Sequence, residues 1–281
     1  MRLCSFYEYE SVVGGVLVGD RVYSLEDVAE ATESDLGPDL SSLVKRRQVE
    51  TLRGALAKFK PTTGGWKPDR LKFAAPFRDP PKIWGIGLNF REHATDLEAP
   101  APDEPASYMR PATALADPST PLRLPRGIGR FTGEAEIGVV LGAPLSGDVT
   151  REEARDAVLG FAPALDLTAE DLVRKNPRYL VRAKSYPDSC AFGPFLVTKD
   201  EWEPKPATTI ATVVNGKTVR EAPVSSMAMD PYALVAWHAA VFPWQAGDLL
   251  LTGTPGAGVL NPGDTLEARI DGLPDLATTV A

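Results

Sequence analysis

The chain has 281 residues, of which 43% are hydrophobic and 24% charged, as is ordinary for a globular protein with a sizeable core. Its net charge of −8 argues against a nucleic-acid partner. No apolar run approaches the ~20 residues of a membrane span, and the N-terminus lacks an apolar signal-peptide segment. The two cysteines lie far apart in the sequence. We therefore expect a cytoplasmic protein with reduced thiols and no membrane partner.

Short apolar runs, 24 glycines and 26 prolines favour a strand-and-loop protein with few long helices. Residues 1–25 read as short strands, and helical spacing follows, most clearly over 48–58. A loop rich in proline and glycine comes next. We place a domain boundary near residue 70, so that residues 1–70 form a small α+β domain and residues 71–281 a larger, mainly β domain.

A candidate general base follows the buried-looking strand Lys82–Gly87. His93 and Asp96 stand three residues apart, a spacing that brings side chains together on one helical turn. A carboxylate beside an imidazole orients the ring and raises its basicity, although a surface histidine on a loop would give the same pattern. Residues 94–106 are polar and proline-rich, and we expect this segment to act as a lid over the site.

A strand with two glutamates, Gly133–Gly142, is the clearest candidate for metal binding. Successive strand side chains point to opposite faces, so Glu134 and Glu136 share one face, about 7 Å apart along the strand. A divalent cation between them would relieve their repulsion, because hard cations collect carboxylate oxygens. A solvated strand face is the alternative.

Two further stretches carry charges that need partners. Asp166 lies inside an apolar run, where an unpaired carboxylate is costly. A cation shared with the two glutamates would satisfy it, as would an arginine or a backbone cap. Arg182 and Lys184 are predicted on one face of an extended segment, 180–185, where they could hold an anionic substrate or form ordinary surface salt bridges.

The last third of the chain is predicted to contain a hairpin, a helix and a glycine-rich turn. Asn215-Gly216 suits a type I′ hairpin turn. Residues 231–242 form an apolar helix, in which His238 is a packing residue rather than a ligand. The turn at 252–258 lacks the spacing of a nucleotide-phosphate loop, but its exposed amides could bind a carboxylate.

Seven segments, taken together and in this order, resemble the fumarylacetoacetate hydrolase family. They cover roughly residues 70–281. The segments are Gly87-Leu88-Asn89-Phe90-Arg91-Glu92-His93, Arg110-Pro111, Glu134-Ala135-Glu136, Leu165-Asp166-Leu167-Thr168-Ala169, Arg182-Ala183-Lys184-Ser185, Val214-Asn215-Gly216 and Leu251-Thr252-Gly253-Thr254-Pro255.

The resemblance implies an α+β, mainly β fold, a mixed β-sandwich roll with the small N-terminal domain attached, usually assembled as a homodimer. It implies Mg²⁺ or Mn²⁺, with Ca²⁺ as a substitute in crystals, and a small keto acid as substrate. The implied metal ligands are Glu134, Glu136 and Asp166. The catalytic residues that we assign are His93, Asp96 and Lys184. The substrate-binding residues that we assign are Arg110, Arg182 and Thr254.

The resemblance leads us to expect a metal-dependent hydrolase that cleaves a C–C bond in a small 1,3-diketo acid of the acylpyruvate or fumarylpyruvate type. The alternatives are a decarboxylase or isomerase of a keto diacid such as oxaloacetate, and a metal-binding member without catalysis. Four positions depart from many relatives: Arg110 replaces lysine, Glu170 replaces arginine, Pro187 replaces aspartate, and Asp96 stands where glutamate is often seen. The metal ligands are thus retained while the substrate surroundings differ.

Overall fold

The computed structural model describes residues 1–90 and 104–281. The strands are β1 (Arg2–Glu8), β2 (Ser11–Val18), β3 (Arg21–Ser24), β4 (Phe73–Ala74), β5 (Ile83–Gly87), β6 (Ala106–Arg110), β7 (Leu115–Ala116), β8 (Phe131–Leu141), β9 (Val158–Ala169), β10 (Cys190–Phe192), β11 (Phe195–Thr198), β12 (Thr209–Val214), β13 (Lys217–Pro223), β14 (Leu249–Leu251), β15 (Ala257–Leu260), β16 (Thr265–Ile270) and β17 (Leu276–Thr279). The α-helices are α1 (Leu25–Thr32), α2 (Leu40–Lys45), α3 (Val49–Lys58), α4 (Arg151–Ala157), α5 (Glu170–Lys175), α6 (Leu180–Lys184) and α7 (Pro231–Ala239).

The described strands form one large sheet and one small sheet. The main path of the large sheet runs β3-β2-β1-β11-β9-β8-β14-β5-β6, and the small sheet runs β13-β12-β16-β17. The fold is mainly β with short helices, as the sequence predicts. The longest described helix has 10 residues, half of the ~20 that a membrane span requires.

The antiparallel pair β8–β9 lies at the centre of the large sheet, and every residue of both strands is buried. Ile137 and Val139 point into one hydrophobic cluster, while Val140 points into the cluster on the opposite face. Because both faces are covered by apolar side chains, the pair forms the inner layer of the molecule. Any charged side chain on these strands must therefore find its partners within the protein.

The large sheet continues across the boundary that we placed near residue 70. Strand β1 pairs with β11, where Arg2 lies opposite Val197, and also with β2 and β4. The β1–β11 pairing joins residues nearly two hundred positions apart. The N-terminal strands thus extend the large sheet, and the division into two domains stays a prediction.

The predicted hairpin and C-terminal helix are both present. Strands β12 and β13 pair around Asn215 and Gly216, whose φ angles of 51° and 74° fit the expected turn. The extended segment predicted at 180–185 is wrong, because Leu180–Lys184 forms helix α6. Four of its five residues (Leu, Arg, Ala and Lys) are strong helix formers, and this preference outweighs the apparent alternation.

The large sheet must curl to bring its edge strand β6 back over β9. In the order of strands, β6 lies four positions from β9, about 19 Å away if the sheet were flat. Yet Tyr108 and Arg110 on β6 both bond to Asp166 on β9. The sheet therefore folds over itself as a roll, and the carboxylate-bearing parts of β8 and β9 lie inside the fold.

Candidate metal centre

Three carboxylates converge where β8 runs beside β9. Glu134 lies directly opposite Asp166 in the register of the two strands, and Glu136 follows two residues along β8. One oxygen atom from each of the three side chains lies within 4.8 Å of the other two. All three residues are buried. Glu134 and Glu136 thus lie on one face of β8, as the alternation of strand side chains predicts, and Asp166 lies beside them.

The loop between β14 and β15 holds Glu136. Both strands pair with the same side of β8 and leave a gap between them, where the Ile137 amide donates to the Thr252 hydroxyl at 3.3 Å. The chain turns away at Gly253, whose φ of +85° favours glycine and whose added Cβ would lie 3.0 Å from the Ile86 carbonyl oxygen. The Gly253 amide can then donate to Glu136 Oε2 at 2.7 Å.

The other oxygen of Glu136, Oε1, is buried and has no hydrogen-bond partner among the described residues. Burial raises the pKa of Glu136 well above its usual range, and the charge of Asp166 raises it further, while Lys184 opposes the shift. The ionised form of this carboxyl group therefore needs another positive charge nearby.

A buried lysine and a threonine hold Glu134. Lys184 Nζ lies 2.7 Å from Glu134 Oε2 and 3.0 Å from Asp166 Oδ1. Thr168 donates its hydroxyl to Glu134 Oε1 at 3.2 Å. Burial alone would lower the pKa of Lys184, but Asp166 and Glu134 outweigh it and raise the pKa. Lys184 is therefore a fixed cation of the site.

Asp166 has hydrogen-bond donors at both oxygens. Arg110 donates to Oδ1 and Tyr108 donates its hydroxyl to Oδ2. Arg110 also donates to the Leu167 carbonyl at 3.0 Å and to the Ser189 hydroxyl at 2.9 Å, and its side chain is fully buried. Burial and the nearby Asp166 carboxylate raise the pKa of Tyr108 well above its usual range, so Tyr108 acts as a donor.

The donor set fits a divalent cation. The three carboxylates carry three negative charges when ionised, whereas Lys184 and Arg110 supply two positive charges, so among the described residues one negative charge is left without a partner. The candidate ligand atoms are carboxylate oxygens, the ligand type that Mg²⁺, Mn²⁺ and Ca²⁺ prefer. Glu136 Oε1, which is buried and has no hydrogen-bond partner in the described part of the chain, has free lone pairs.

The structure also describes Thr254 and Arg182, two of the predicted substrate-binding residues. Thr254 is buried in the loop after β14, where its hydroxyl donates to the Gly256 carbonyl at 3.1 Å. Arg182 is exposed on α6 while Lys184, two residues later, is buried, because residues two apart lie on different sides of a helix. The roles of Arg110, Arg182 and Thr254 in substrate binding stay predictions. His93, Asp96 and nearly all of the predicted lid lie outside the described residues.

Sequence reasoning missed Tyr108, Thr168 and Gly253 as members of this site. The alternation of Tyr108 and Arg110 on a short strand was a usable signal, because it places both side chains on one face. Nothing comparable marks Gly253, whose contribution is a backbone amide.

Most of the chain matches a known protein family. The model of the fumarylacetoacetate (FAA) hydrolase C-terminal domain matches residues 82–281. The chain belongs to the fumarylacetoacetate hydrolase family. The match contains all three carboxylates as well as Tyr108, Arg110 and Lys184.

Relatives in this family carry several activities. The chain is 33% identical to the oxaloacetate tautomerase YcgM of Escherichia coli strain K12 over 195 residues, 68% of this chain and 89% of that protein. A maleylpyruvate hydrolase of Sphingobium sp. SYK-6, solved with manganese(II) and pyruvate, is 27% identical with a TM-score of 0.82 and covers 100% of this chain and 99% of its own. A 5-carboxymethyl-2-hydroxymuconate delta-isomerase of Mycobacterium smegmatis is 26% identical with a TM-score of 0.76, covering 100% and 98%. The family thus includes hydrolases, isomerases and tautomerases.

Proposed function

We propose that this protein is a metal-dependent enzyme that binds a small 2-oxo acid and stabilises its enolate. The observation that carries the proposal is the buried triad of Glu134, Glu136 and Asp166, in which one carboxylate oxygen and one negative charge have no partner among the described residues. These three residues would hold Mg²⁺ or Mn²⁺. When bound, the cation would supply positive charge that polarises a carbonyl group and stabilises an enolate.

The chain's own residues complete this environment. Lys184 brings a fixed positive charge to within 3.0 Å of two of the three carboxylates, where it can stabilise negative charge that develops on a substrate oxygen. Arg110 and Tyr108 hold Asp166, and the Gly253 amide holds Glu136. Because all of these groups are buried, they are oriented before substrate arrives and are shielded from bulk water.

Hydrolysis of a C–C bond in a 1,3-diketo acid is the first candidate among reactions that release an enolate. It requires a base that activates water, and the spacing of His93 and Asp96 in the sequence supports such a dyad. The activity of the maleylpyruvate hydrolase, and the manganese and pyruvate in its structure, support the same reaction class here.

Keto–enol isomerisation of a keto diacid such as oxaloacetate is the second candidate. Oxaloacetate tautomerases of Xenopus laevis and Escherichia coli are 32% and 33% identical to this chain. Isomerisation needs the same stabilised enolate, but no attacking water. Decarboxylation of oxaloacetate would likewise proceed without an attacking water.

The proposal is tested by turnover of an acylpyruvate and of oxaloacetate side by side, with Mg²⁺ or Mn²⁺, in the wild type, His93→Ala and Glu136→Gln. Hydrolysis predicts that Glu136→Gln and His93→Ala both lose acylpyruvate cleavage, and that His93→Ala still binds the metal. Oxaloacetate turnover that depends on the metal but survives His93→Ala would favour the second candidate. No metal-dependent reaction with either substrate would overturn the proposal.

We also propose that the chain assembles as a homodimer, as the family resemblance implies. Light scattering on the purified full chain measures the mass directly, against 30.2 kDa for one copy.

A further inference from the structure

Tyr108 occupies a notch that the opposite strand provides. It pairs across the β5–β6 ladder with Gly85, and a Cβ atom added to Gly85 would lie 2.1 Å from Tyr108 Cζ and 2.4 Å from its hydroxyl oxygen. Distances this short are never tolerated between a Cβ atom and a ring that stays in place. The tyrosine ring can therefore occupy this space only because residue 85 is glycine.

The same ring is held by the charged groups of the site. Lys184 Nζ lies 5.0 Å and Arg110 Cζ lies 5.8 Å from the centroid of the Tyr108 ring, distances at which a cation is attracted to an aromatic face. The side chain is 3% exposed. The notch and the two cations thus fix the direction of the hydroxyl, which donates to Asp166 Oδ2.

The Tyr108 hydroxyl fixes the orientation of the Asp166 carboxylate. Arg110 and Lys184 both contact Oδ1, so without Tyr108 the described contacts would hold only that oxygen. With Oδ2 fixed as well, one Asp166 oxygen stays within reach of the two glutamates. Groups that orient a metal ligand in this way contribute strongly to metal affinity.

We propose that Tyr108, seated against Gly85, is a positioning residue that orients Asp166 for the divalent cation. The inference rests on the proposed function, since it assumes a cation at the triad. It assigns to Tyr108 no contact with substrate and no proton transfer.

The test is calorimetric titration of the full chain with Mn²⁺, which needs no substrate. Tyr108→Phe removes only the hydroxyl and is expected to weaken binding about 10–100-fold, the usual effect of losing a group that orients a ligand. Tyr23→Phe is the matched control, because Tyr23 is also buried but packs against Phe59, away from the carboxylates. It should bind Mn²⁺ as the wild type does.

A second pair of variants keeps the test decisive if Tyr108→Phe does not fold. Gly85→Ala retains the hydroxyl but forces the ring out of its notch, and should also weaken Mn²⁺ binding. Its control is Gly54→Ala on α3, where an added Cβ meets nothing within 4 Å. The electron paramagnetic resonance spectrum of bound Mn²⁺ gives an independent readout, because it reports ligand arrangement and does not respond to a mere loss of stability.

The outcomes separate this inference from the proposed function. If the wild type binds no Mn²⁺, both fail. If the wild type binds Mn²⁺ and folded Tyr108→Phe or Gly85→Ala binds it equally well with the same spectrum, the positioning role of Tyr108 is overturned while the metal centre stands.

Discussion

The three-residue strand β14 has a buried carboxylate site near each end, and the two sites differ in their number of carboxylates and their balance of charge. Before the strand, Asp248 lies buried with Lys82 Nζ 2.6 Å from Oδ2, and the Gln245 amide donates to the same oxygen at 2.7 Å. After the strand, the Gly253 amide donates to Glu136. Each site contains a lysine that pairs with a carboxylate, and a backbone amide that donates to one.

An unpartnered oxygen does not distinguish the two sites. Asp248 Oδ1 and Glu136 Oε1 are both buried without a hydrogen-bond partner among the described residues. At Asp248, however, one carboxylate faces one lysine, so the charges balance. At Glu136, three carboxylates share two cations. Convergence of several ligand atoms with an uneven charge, rather than one unpartnered oxygen, therefore indicates a metal site.

The largest expected effect comes from removing the lysine of each site. Lys184→Met should lower the free energy of unfolding by about 3–5 kcal/mol without metal, because it leaves buried carboxylates uncompensated. Lys82→Met should cost only about 1–2 kcal/mol, because Lys82 is partly exposed and leaves a single carboxylate behind. Urea unfolding with and without Mn²⁺ measures both.

Mn²⁺ should restore part of the stability lost in Lys184→Met and none of that lost in Lys82→Met. Equal losses in the two variants, with no effect of Mn²⁺ on either, would contradict the distinction between the sites.

The second effect concerns metal affinity. Glu136→Gln should weaken Mn²⁺ binding by about 100-fold or more, because a metal ligand itself loses its charge. Replacing a residue that only orients a ligand typically weakens binding by about 10–100-fold. Without metal the variant should be no less stable than the wild type, since a neutral amide avoids the cost of a buried carboxylate. Calorimetry and thermal unfolding check the two parts.

The matched control for Glu136→Gln is Asp248→Asn, which neutralises the carboxylate before β14 and should leave Mn²⁺ affinity unchanged. Weakened binding in Asp248→Asn would show that the two ends of the strand are coupled.

How much of this centre can be predicted from sequence depends on the distance over which residues act. Glu134 and Glu136 were found by strand alternation, and Asp166 by its placement in an apolar run, because both signals are local. The structure brings these three together as expected. That they bind a metal stays our proposal, as does the base formed by His93 and Asp96.

The parts that sequence did not reveal depend on tertiary structure. Tyr108 reaches Asp166 only because the large sheet curls, and no local pattern encodes that approach. The pairing of β1 with β11 likewise joins distant segments and crosses the predicted boundary at residue 70. For α6, alternation over a few residues was outweighed by helix propensity, which left Arg182 exposed and Lys184 buried.

A smaller effect on stability is expected at the Asp248–Lys82 pair, where one carboxylate faces one lysine. Asp248→Asn should leave the free energy of unfolding near pH 7 unchanged or slightly higher, because burial disfavours the ionised carboxyl group more than Lys82 favours it, and the amide oxygen can still accept from Gln245. Urea unfolding measures the change, and Asp200→Asn serves as the exposed control. Asp200 pairs with Arg53 near the surface, so its replacement should lower the free energy of unfolding by less than 1 kcal/mol, roughly the value of an exposed ion pair. A loss in Asp248→Asn as large as that in Asp200→Asn would mean that Lys82 outweighs burial at Asp248.

The smallest expected effect is the pH dependence of the stability difference between the wild type and Asp248→Asn. Burial raises the pKa of Asp248 above its ordinary value, although Lys82 and the Gln245 amide oppose the shift. A carboxyl group whose pKa is higher in the folded state contributes most to stability below its unfolded pKa of about 3.9, and that contribution falls as pH rises through the folded pKa. Asparagine resembles the protonated acid and does not titrate. The unfolding free energy of the wild type minus that of Asp248→Asn should therefore fall between about pH 3.5 and pH 7. Groups that titrate in both proteins cancel in this difference. A difference that grows with pH would mean that Lys82 outweighs burial, and Asp248 would then behave as half of an ordinary ion pair.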